Sequence, residues 1–486
     1  MKRLNISQIN RSVKEASYAV RGAIVARSAE FEKQLHEGKK LPFTEIIPCN
    51  IGNPHALKQP PVSFVRDVLS LVVNPTLSDR NPTLFPADVV DRAKKYLTPT
   101  KKGLMDMGAY SDSKGIGAVR EEVSKFLLER DGFAGNVNDI FLTNGASEGV
   151  RLCMTVLTRP NSEGFKDGVL TPIPQYPLYS ALTTVLDANL VPYYLDEEQN
   201  WSCSREQLEE SFKKGAEGGI ETRALVVINP GNPTGQVLEE SVMRNIIEFC
   251  MEKGIILMAD EVYQENIWAS GSKFSSFRKV AHEMGALKGD DDGLHLINFH
   301  SVSKGFLGEC GLRGGYFEML GIPQEVKDQI YKLASISLCS NTMGQITTGL
   351  MVQPPVEGEP SFSLYKKEKD DILGSMHRRA ILVARELNKL EGVQCSESQG
   401  AMYAFPTIVL PQGAISAAKE AGMEPDAFYC WELLNATGIV LVPGSGFKQK
   451  EETFHFRITI LPPEEQMDKV FDLIGTFHNS FYAQYK

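Results

Sequence analysis

Between residues 139 and 320 the chain alternates short apolar runs with longer amphipathic stretches, and this alternation restricts its fold more than any other feature. The runs are "DIFLTNG", "DGVLTPIPQYP", "NLVPYYL", "RALVVINPGNPTG", "GIILMADEVY", "LHLINFHSVSK" and "RGGYFEM". Between them lie segments such as "SVMRNIIEFCMEK", whose apolar residues recur at helical spacing. Buried strands separated by helices predict an α/β fold, a mostly parallel sheet with helices on both faces. A chain of 486 residues exceeds one ordinary core, so a second domain is expected. Prolines and glycines in "MVQPPVEGEPSFS", residues 351–363, mark the boundary. Beyond it a long charged helix, "KKEKDDILGSMHRRAILVARELNKL", precedes three expected strands, "GAMYAFPTIVL", "GIVLVPGSGF" and "TFHFRITIL". The first 94 residues look less regular and are expected to pack onto that smaller α+β part. The predicted division is therefore a large domain over 95–352, and a small domain built from 1–94 together with 353–486.

Composition removes several function classes. A net charge of −10 argues against nucleic acid or an anionic membrane as partner, since both need a basic footprint. It leaves the substrate open, because a local positive pocket can exist on an acidic protein. No apolar run approaches the ~18 residues of a membrane span. The start, "MKRLNISQINRSVKEASYAVRG", is basic and amphipathic but lacks the apolar stretch of a secretory signal. With Glu15 so early and few arginines, a cytoplasmic location is expected over a mitochondrial one. The eight cysteines form no CxxC pair and the eight histidines no HxxxH, so reduced thiols and no metal site are expected.

Ligands of open α/β sheets bind at the carboxyl ends of strands, which makes the polar residues just after apolar runs the site candidates. In "FLTNGASEGV" a glycine turn opens a helix, and the N–H groups of Ala146 and Ser147, with the Ser147 hydroxyl, would face an anion. An ordinary strand-to-helix turn with a serine cap also accounts for it. In "NPGNPTGQ" Asn232 is held between Gly231 and Pro233, so its amide can be aimed at a ligand oxygen; a plain turn is the alternative. Asp260 ends the apolar run of "LMADEVYQ", where a carboxylate needs a partner such as a cationic ring nitrogen. Tyr263, three residues on, can turn back to the same place; a helix-capping Asp with a structural tyrosine is the alternative.

"SVSKGFLGECGLRGGYF" sets Lys304 after a core strand and the small residues Ser301 and Ser303. Most lysines are solvated, but a partly buried amine has a lowered pKa and attacks carbonyls. Arg313, among glycines that let the chain approach it, offers a two-pronged grip on a phosphate. Arg457 lies in the apolar strand "FHFRITIL" and needs an anion, either a substrate carboxylate or a structural acid. Together these parts suit pyridoxal phosphate. Lys304 meets its carbonyl, Asp260 its ring nitrogen, Tyr263 and Asn232 its 3′-oxygen, and Ala146, Ser147, Ser301 and Arg313 its phosphate. No GxxxxGK[ST] loop occurs, so a nucleotide phosphate fits less well.

The order "NGASEGV … PQYPLY … NPGNPTG … ADEVYQ … SVSKG … GLRGGYF … FRIT" resembles the fold-type I aminotransferases of class I/II, over nearly the whole chain. Arg313 follows Lys304 by nine residues, where eight is commonest in that class. The longer spacing, with "YAVRG", "NIGNPH", "AYSDSKGIGAVR" and "PGSGF", looks like the branch of alanine aminotransferases, which plant glutamate:glyoxylate aminotransferases share. The resemblance implies Lys304, Asp260 and Tyr263 as catalytic residues. It adds Tyr176 stacked on the ring face, and Tyr110 reaching the phosphate from a second subunit of a homodimer with shared sites. It also implies Arg457 on the substrate α-carboxylate, with the Gly52 backbone and Asn232 beside it. The activity implied is reversible amino transfer between L-alanine and 2-oxoglutarate, with glutamate:glyoxylate transfer as the alternative. Lyases and synthases of the same branch use a similar site. A non-catalytic regulator on this fold would need a nucleic-acid-binding module that the sequence lacks.

Overall fold

The computed structural model describes residues 4–18, 22–98, 102–288 and 293–486. The first three residues, most of "YAVRG" and most of "KGDDDG" therefore lie outside the described residues.

Seven of the apolar runs form one sheet, with strands β1 Ile140–Thr143, β2 Asp167–Ile173, β3 Asn189–Tyr194, β4 Glu221–Ile228, β5 Ile256–Asp260, β6 Leu296–Ser301 and β7 Gly315–Leu320. Their spatial order is β1-β7-β6-β5-β4-β2-β3. The sheet is α/β and mainly parallel, as expected, but β7 runs antiparallel to both of its neighbours. Side chains alternate across each strand. On β4, Leu225 and Val227 join a cluster with Met243, Ile247, Phe249 and Phe277, while Ala224 and Val226 join Val150, Leu152, Tyr179 and Ile330 on the other face. Both faces are thus covered by helices, which is why these strands read as unbroken apolar runs. Each fully buried large side chain contributes roughly 1.5–3 kcal/mol.

Register brings the strand ends level. Ile228 pairs with Asp260, and Asp260 with Phe299, so the chain leaves β4, β5 and β6 along one edge. Because β7 is antiparallel, its first residue belongs to that edge too. Gly315 pairs with Ser301 on one side and Thr143 on the other.

The smaller part differs from expectation in detail. "GAMYAFPTIVL" is not one strand but two short pieces, Tyr403–Ala404 and Thr407–Ile408, separated by Pro406, which has no N–H to donate. "GIVLVPGSGF" is likewise broken into Ile439–Val440 and Val442–Pro443, followed by a 3₁₀ turn over Gly444–Phe447. Phe456–Thr459 lies between Tyr403–Ala404 and Val442–Pro443. The first 94 residues are more regular than expected, with helices Ala23–His36, Ser63–Val73 and Ala87–Tyr96 each burying an apolar face. Ile47–Pro48 pairs with Ile439–Val440, so both chain ends build this part together. The sequence of 265–295, with its charged "KGDDDG", reads as a surface loop, but the stretch contains the buried helix Phe277–Glu283, capped by the Ser276 side chain. No described helix is long and apolar enough to cross a membrane.

Candidate active site

A cavity of about 340 Å³ opens where the level strand ends face the smaller part. Asn232, Asp260, Tyr263, Ser301, Lys304 and Arg313 line it from the sheet side, with Ala146, Ser147 and Tyr176. Gly52 and Arg457 line it from the other. A larger hollow of about 1060 Å³ runs along the edge strand β3, but the charged groups there, such as Glu210 and Lys214, are solvated surface pairs.

Asp260 ends β5 and is only 6% exposed. Tyr179 Oη donates to its Oδ2 at 2.8 Å, while its Oδ1 is buried without a partner. Burial raises its pKa, against the pull of Tyr179, the Val262 N–H and the Lys304 charge. A bare carboxylate oxygen in a cavity wall is the complement of a cationic N–H, and a protonated ring nitrogen supplies one. The alternative of a mere capping Asp leaves that oxygen unexplained.

Lys304 leaves β6 beyond Ser301 and donates from Nζ to the Gly52 carbonyl at 2.9 Å. Gly305 turns the chain at φ +66 and donates its N–H to Asn266 Oδ1 at 2.9 Å. The amine is therefore held inside the cavity by backbone rather than paired with an acid. Gly52 has a specific reason to be glycine. A Cβ there would fall 1.9 Å from Tyr403 Oη and 3.0 Å from Lys304 Nζ.

Arg313 precedes β7 and sits in the left-handed region at φ 52, uncommon for a residue with a side chain. Its Nη2 donates to Asn144 O at 2.8 Å and its Nη1 to Cys310 O at 2.9 Å. This places the guanidinium beside the first turn of the helix Ala146–Leu157. That helix starts at Gly145, with no side-chain cap, so the serine-capped turn is not what forms. Gly145 has φ +80, and a Cβ on it would lie 2.5 Å from Arg313 Nη2. Ser301 Oγ donates to Gly314 O at 3.1 Å and bonds Ser303 Oγ at 3.0 Å. A helix N-terminus, an arginine and two hydroxyls converge on one spot, a cradle suited to phosphate.

Arg457 is 1% exposed. Its Nη1 donates to Asn232 Oδ1 at 3.0 Å and its Nη2 to Asn50 O, while its Nε is buried without a partner. Among the described residues no Asp or Glu pairs with it, which removes the structural-acid alternative. A buried cation without an anion, in the wall of a cavity, fits a ligand carboxylate.

The sequence did not point to Tyr403, Tyr18 or Tyr179. Arg457 Cζ lies 4.1 Å from the Tyr403 ring centre, and Tyr263 Oη donates to Tyr403 Oη at 3.5 Å. Burial pushes the Tyr403 phenol up, but the Lys304 and Arg457 charges outweigh it and bring its pKa below the ordinary value. In "GAMYAF" it looks like any core aromatic, and Tyr179 is the second tyrosine of a motif whose first drew attention. Tyr110 is 76% exposed and does not line the cavity of its own chain.

The sequence matches the aminotransferase class I and II family over residues 66–474. It is 51% identical over 494 residues to the probable mitochondrial alanine aminotransferase of Dictyostelium discoideum, covering 100% of this chain and 90% of that protein. It is 48% identical over 488 residues to glutamate–glyoxylate aminotransferase 1 of Arabidopsis thaliana, covering 100% and 98%. The solved alanine aminotransferase of Pyrococcus furiosus superposes with a TM-score of 0.75 over 97% of this chain and 100% of that one, at 22% identity, a likeness of fold. The Dictyostelium relative is named mitochondrial, which overturns the cytoplasmic location expected from the N-terminal composition. With this family match, the full-length identity and the fold of the cavity's walls, the chain belongs to the class I and II aminotransferases and is a transaminase acting on amino acids and 2-oxo acids.

Proposed function

We propose that the chain transfers the amino group reversibly between L-alanine and 2-oxoglutarate, giving pyruvate and L-glutamate, with pyridoxal phosphate as cofactor. The observation that carries the cofactor reading is the Asp260 oxygen left bare in the cavity wall beside the Lys304 amine. The full-length identity to a protein named for alanine supports the substrate. When bound, pyridoxal phosphate supplies a carbonyl that joins to amines and a ring that accepts an electron pair from the substrate carbon. In this reading Asp260 holds the ring nitrogen protonated. Tyr263 and Asn232 would bond the 3′-oxygen, Tyr176 would cover the ring face, and Arg313, Ser301, Ser147 and the Ala146 N–H would hold the phosphate. Arg457 grips the substrate α-carboxylate and so fixes which Cα bond faces Lys304. Lys304, whose amine lies inside the cavity, would take the Cα proton as a general base and return it as an acid. The Gly52 carbonyl, 2.9 Å from Nζ, keeps that amine in reach between the two transfers.

We further propose that residues 95–352 act as the cofactor-binding unit, and that 1–94 with 353–486 bring Gly52, Tyr403 and Arg457 to it. Two copies would pair so that Tyr110 of each reaches the phosphate of the other. Glutamate:glyoxylate transfer is the second reading, supported by the Arabidopsis relative at 48% identity. Initial rates with alanine and 2-oxoglutarate varied together should give parallel double-reciprocal lines, the mark of two half-reactions on one site. Turnover with glutamate and glyoxylate but not with alanine would replace the first reading by the second.

A further inference from the structure

A site that passes an amino group between alanine and glutamate must accept two unlike side chains, a methyl group and one ending in a second carboxylate. An arginine dedicated to that second carboxylate would stand unpaired in a partly buried wall whenever alanine is bound, at a cost. Hydroxyl groups that satisfy one another when the carboxylate is absent avoid the cost.

The cavity holds such a pair. Tyr18 Oη and Tyr176 Oη lie 2.8 Å apart, with ring centres 6.5 Å apart and planes at 71°. Tyr18 follows the short helix Arg11–Glu15 and is 38% exposed, while Tyr176 comes from the loop after β2. Both line the cavity, so the pair stands at its solvent-facing side. The three cations of the cavity wall have other tasks in the reading proposed above: Lys304 as the amine, Arg313 on the phosphate and Arg457 on the α-carboxylate. Among the described lining residues, no fourth cation remains for a second carboxylate.

We infer that Tyr18 and Tyr176 form the distal-carboxylate subsite: their hydroxyls bond each other when alanine or pyruvate is bound, and both donate to the second carboxylate of glutamate or 2-oxoglutarate. This rests on the amino-transfer reading proposed above. Tyr176 lies near enough to Arg457 to feel its charge, so the subsite and the α-carboxylate grip share one wall. Burial holds the Tyr176 phenol well above its ordinary pKa, which keeps it a donor beside an anion. Such donors serve a five-carbon acid without penalising a three-carbon one.

Tyr18→Phe removes one hydroxyl and keeps the ring. The holoenzyme's two half-reactions can be followed separately by the cofactor's absorbance, with alanine and pyruvate on one side and glutamate and 2-oxoglutarate on the other. The half-saturating concentrations of glutamate and 2-oxoglutarate should rise about tenfold, those of alanine and pyruvate should stay within about twofold, and the limiting rates should hold. An equal rise for all four substrates, or no rise for any, would overturn the subsite. Failure of the amino-transfer reading looks different: wild-type protein would then be silent to alanine, while the glutamate comparison between wild type and variant still reports on Tyr18.

Discussion

Arg457 shows what a single residue in this site is asked to do. It is buried, its Nε has no partner, and no described acid pairs with it, so its planar fork is held ready for an anion. Arg457→Lys keeps the charge and loses the fork, and should raise the half-saturating concentration of both amino acids about a hundredfold, as steady-state kinetics would show. An unchanged value would mean that the substrate carboxylate binds elsewhere. Arg457 was legible in the sequence because an arginine in an apolar strand demands an explanation, as did Asp260 and Lys304 at the ends of theirs. Tyr403 was not legible, because a tyrosine among apolar residues looks like core. Its place beside Lys304 depends on Gly52, far away in the chain, having no Cβ. Tyr18 escaped for a similar reason: its only sign of a role is a hydroxyl partner that sequence cannot supply.

Among elements, β7 is the instructive case. Its run "RGGYFEM" announces a buried strand but not a direction, and the direction is what delivers Arg313 to the edge that lines the cavity. The buried helix Phe277–Glu283 is not legible in the sequence because four of its seven residues are Arg278, Lys279, His282 and Glu283. That arginine, Arg278, is fully buried and pairs with Glu318 at 2.7 Å and Asp131 at 3.2 Å, which hides its charge from any reading by hydropathy. The same helix start donates the Phe277 N–H to Glu261 Oε1 at 2.7 Å, and Asn298 Nδ2 donates to its Oε2 at 3.2 Å. Burial pushes the Glu261 carboxyl up to about 7, opposed by the Arg130 charge and reinforced by Asp131. Its folded pKa thus lies above its ordinary 4.5. The neutral acid therefore stabilises the fold fully below that lower value, and the contribution is lost as pH rises through the higher one. The loss is on the order of 3 kcal/mol. Thermal unfolding of Glu261→Gln between these two pH values should show a smaller fall in Tm than wild type, and parallel curves would contradict the buried neutral acid.

At the scale of the whole molecule, the alternation of runs disclosed the α/β sheet and the order of motifs disclosed the family, because both are local patterns repeated along the chain. The broken strands of the smaller part were hidden, since Pro406 and the break at Leu441 fall within apolar stretches that hydropathy alone reads as continuous. Assembly is the remaining large-scale claim. Tyr110 and Met105 are exposed apolar groups on a segment packed against residues 338–345, where Ser113 Oγ donates to Leu338 O at 2.6 Å. That surface borders the loop of Arg313 and the turn before Ala146, since Asn341 donates from Nδ2 to Leu312 O and from its backbone N–H to Asn144 Oδ1. Sedimentation should therefore give twice the chain's 53.8 kDa, and a monomer that turns over at full rate would exclude the shared site. The account as a whole stands on Lys304 joining the cofactor in this cavity. The most direct measurement is the visible absorbance of wild-type protein and Lys304→Ala, each loaded with pyridoxal phosphate, during addition of L-alanine and then 2-oxoglutarate. We predict a wild-type band that fades with alanine and returns with 2-oxoglutarate, and no such cycle in the variant; a cycle that survives in Lys304→Ala, or a wild-type protein that never acquires the band, would contradict it.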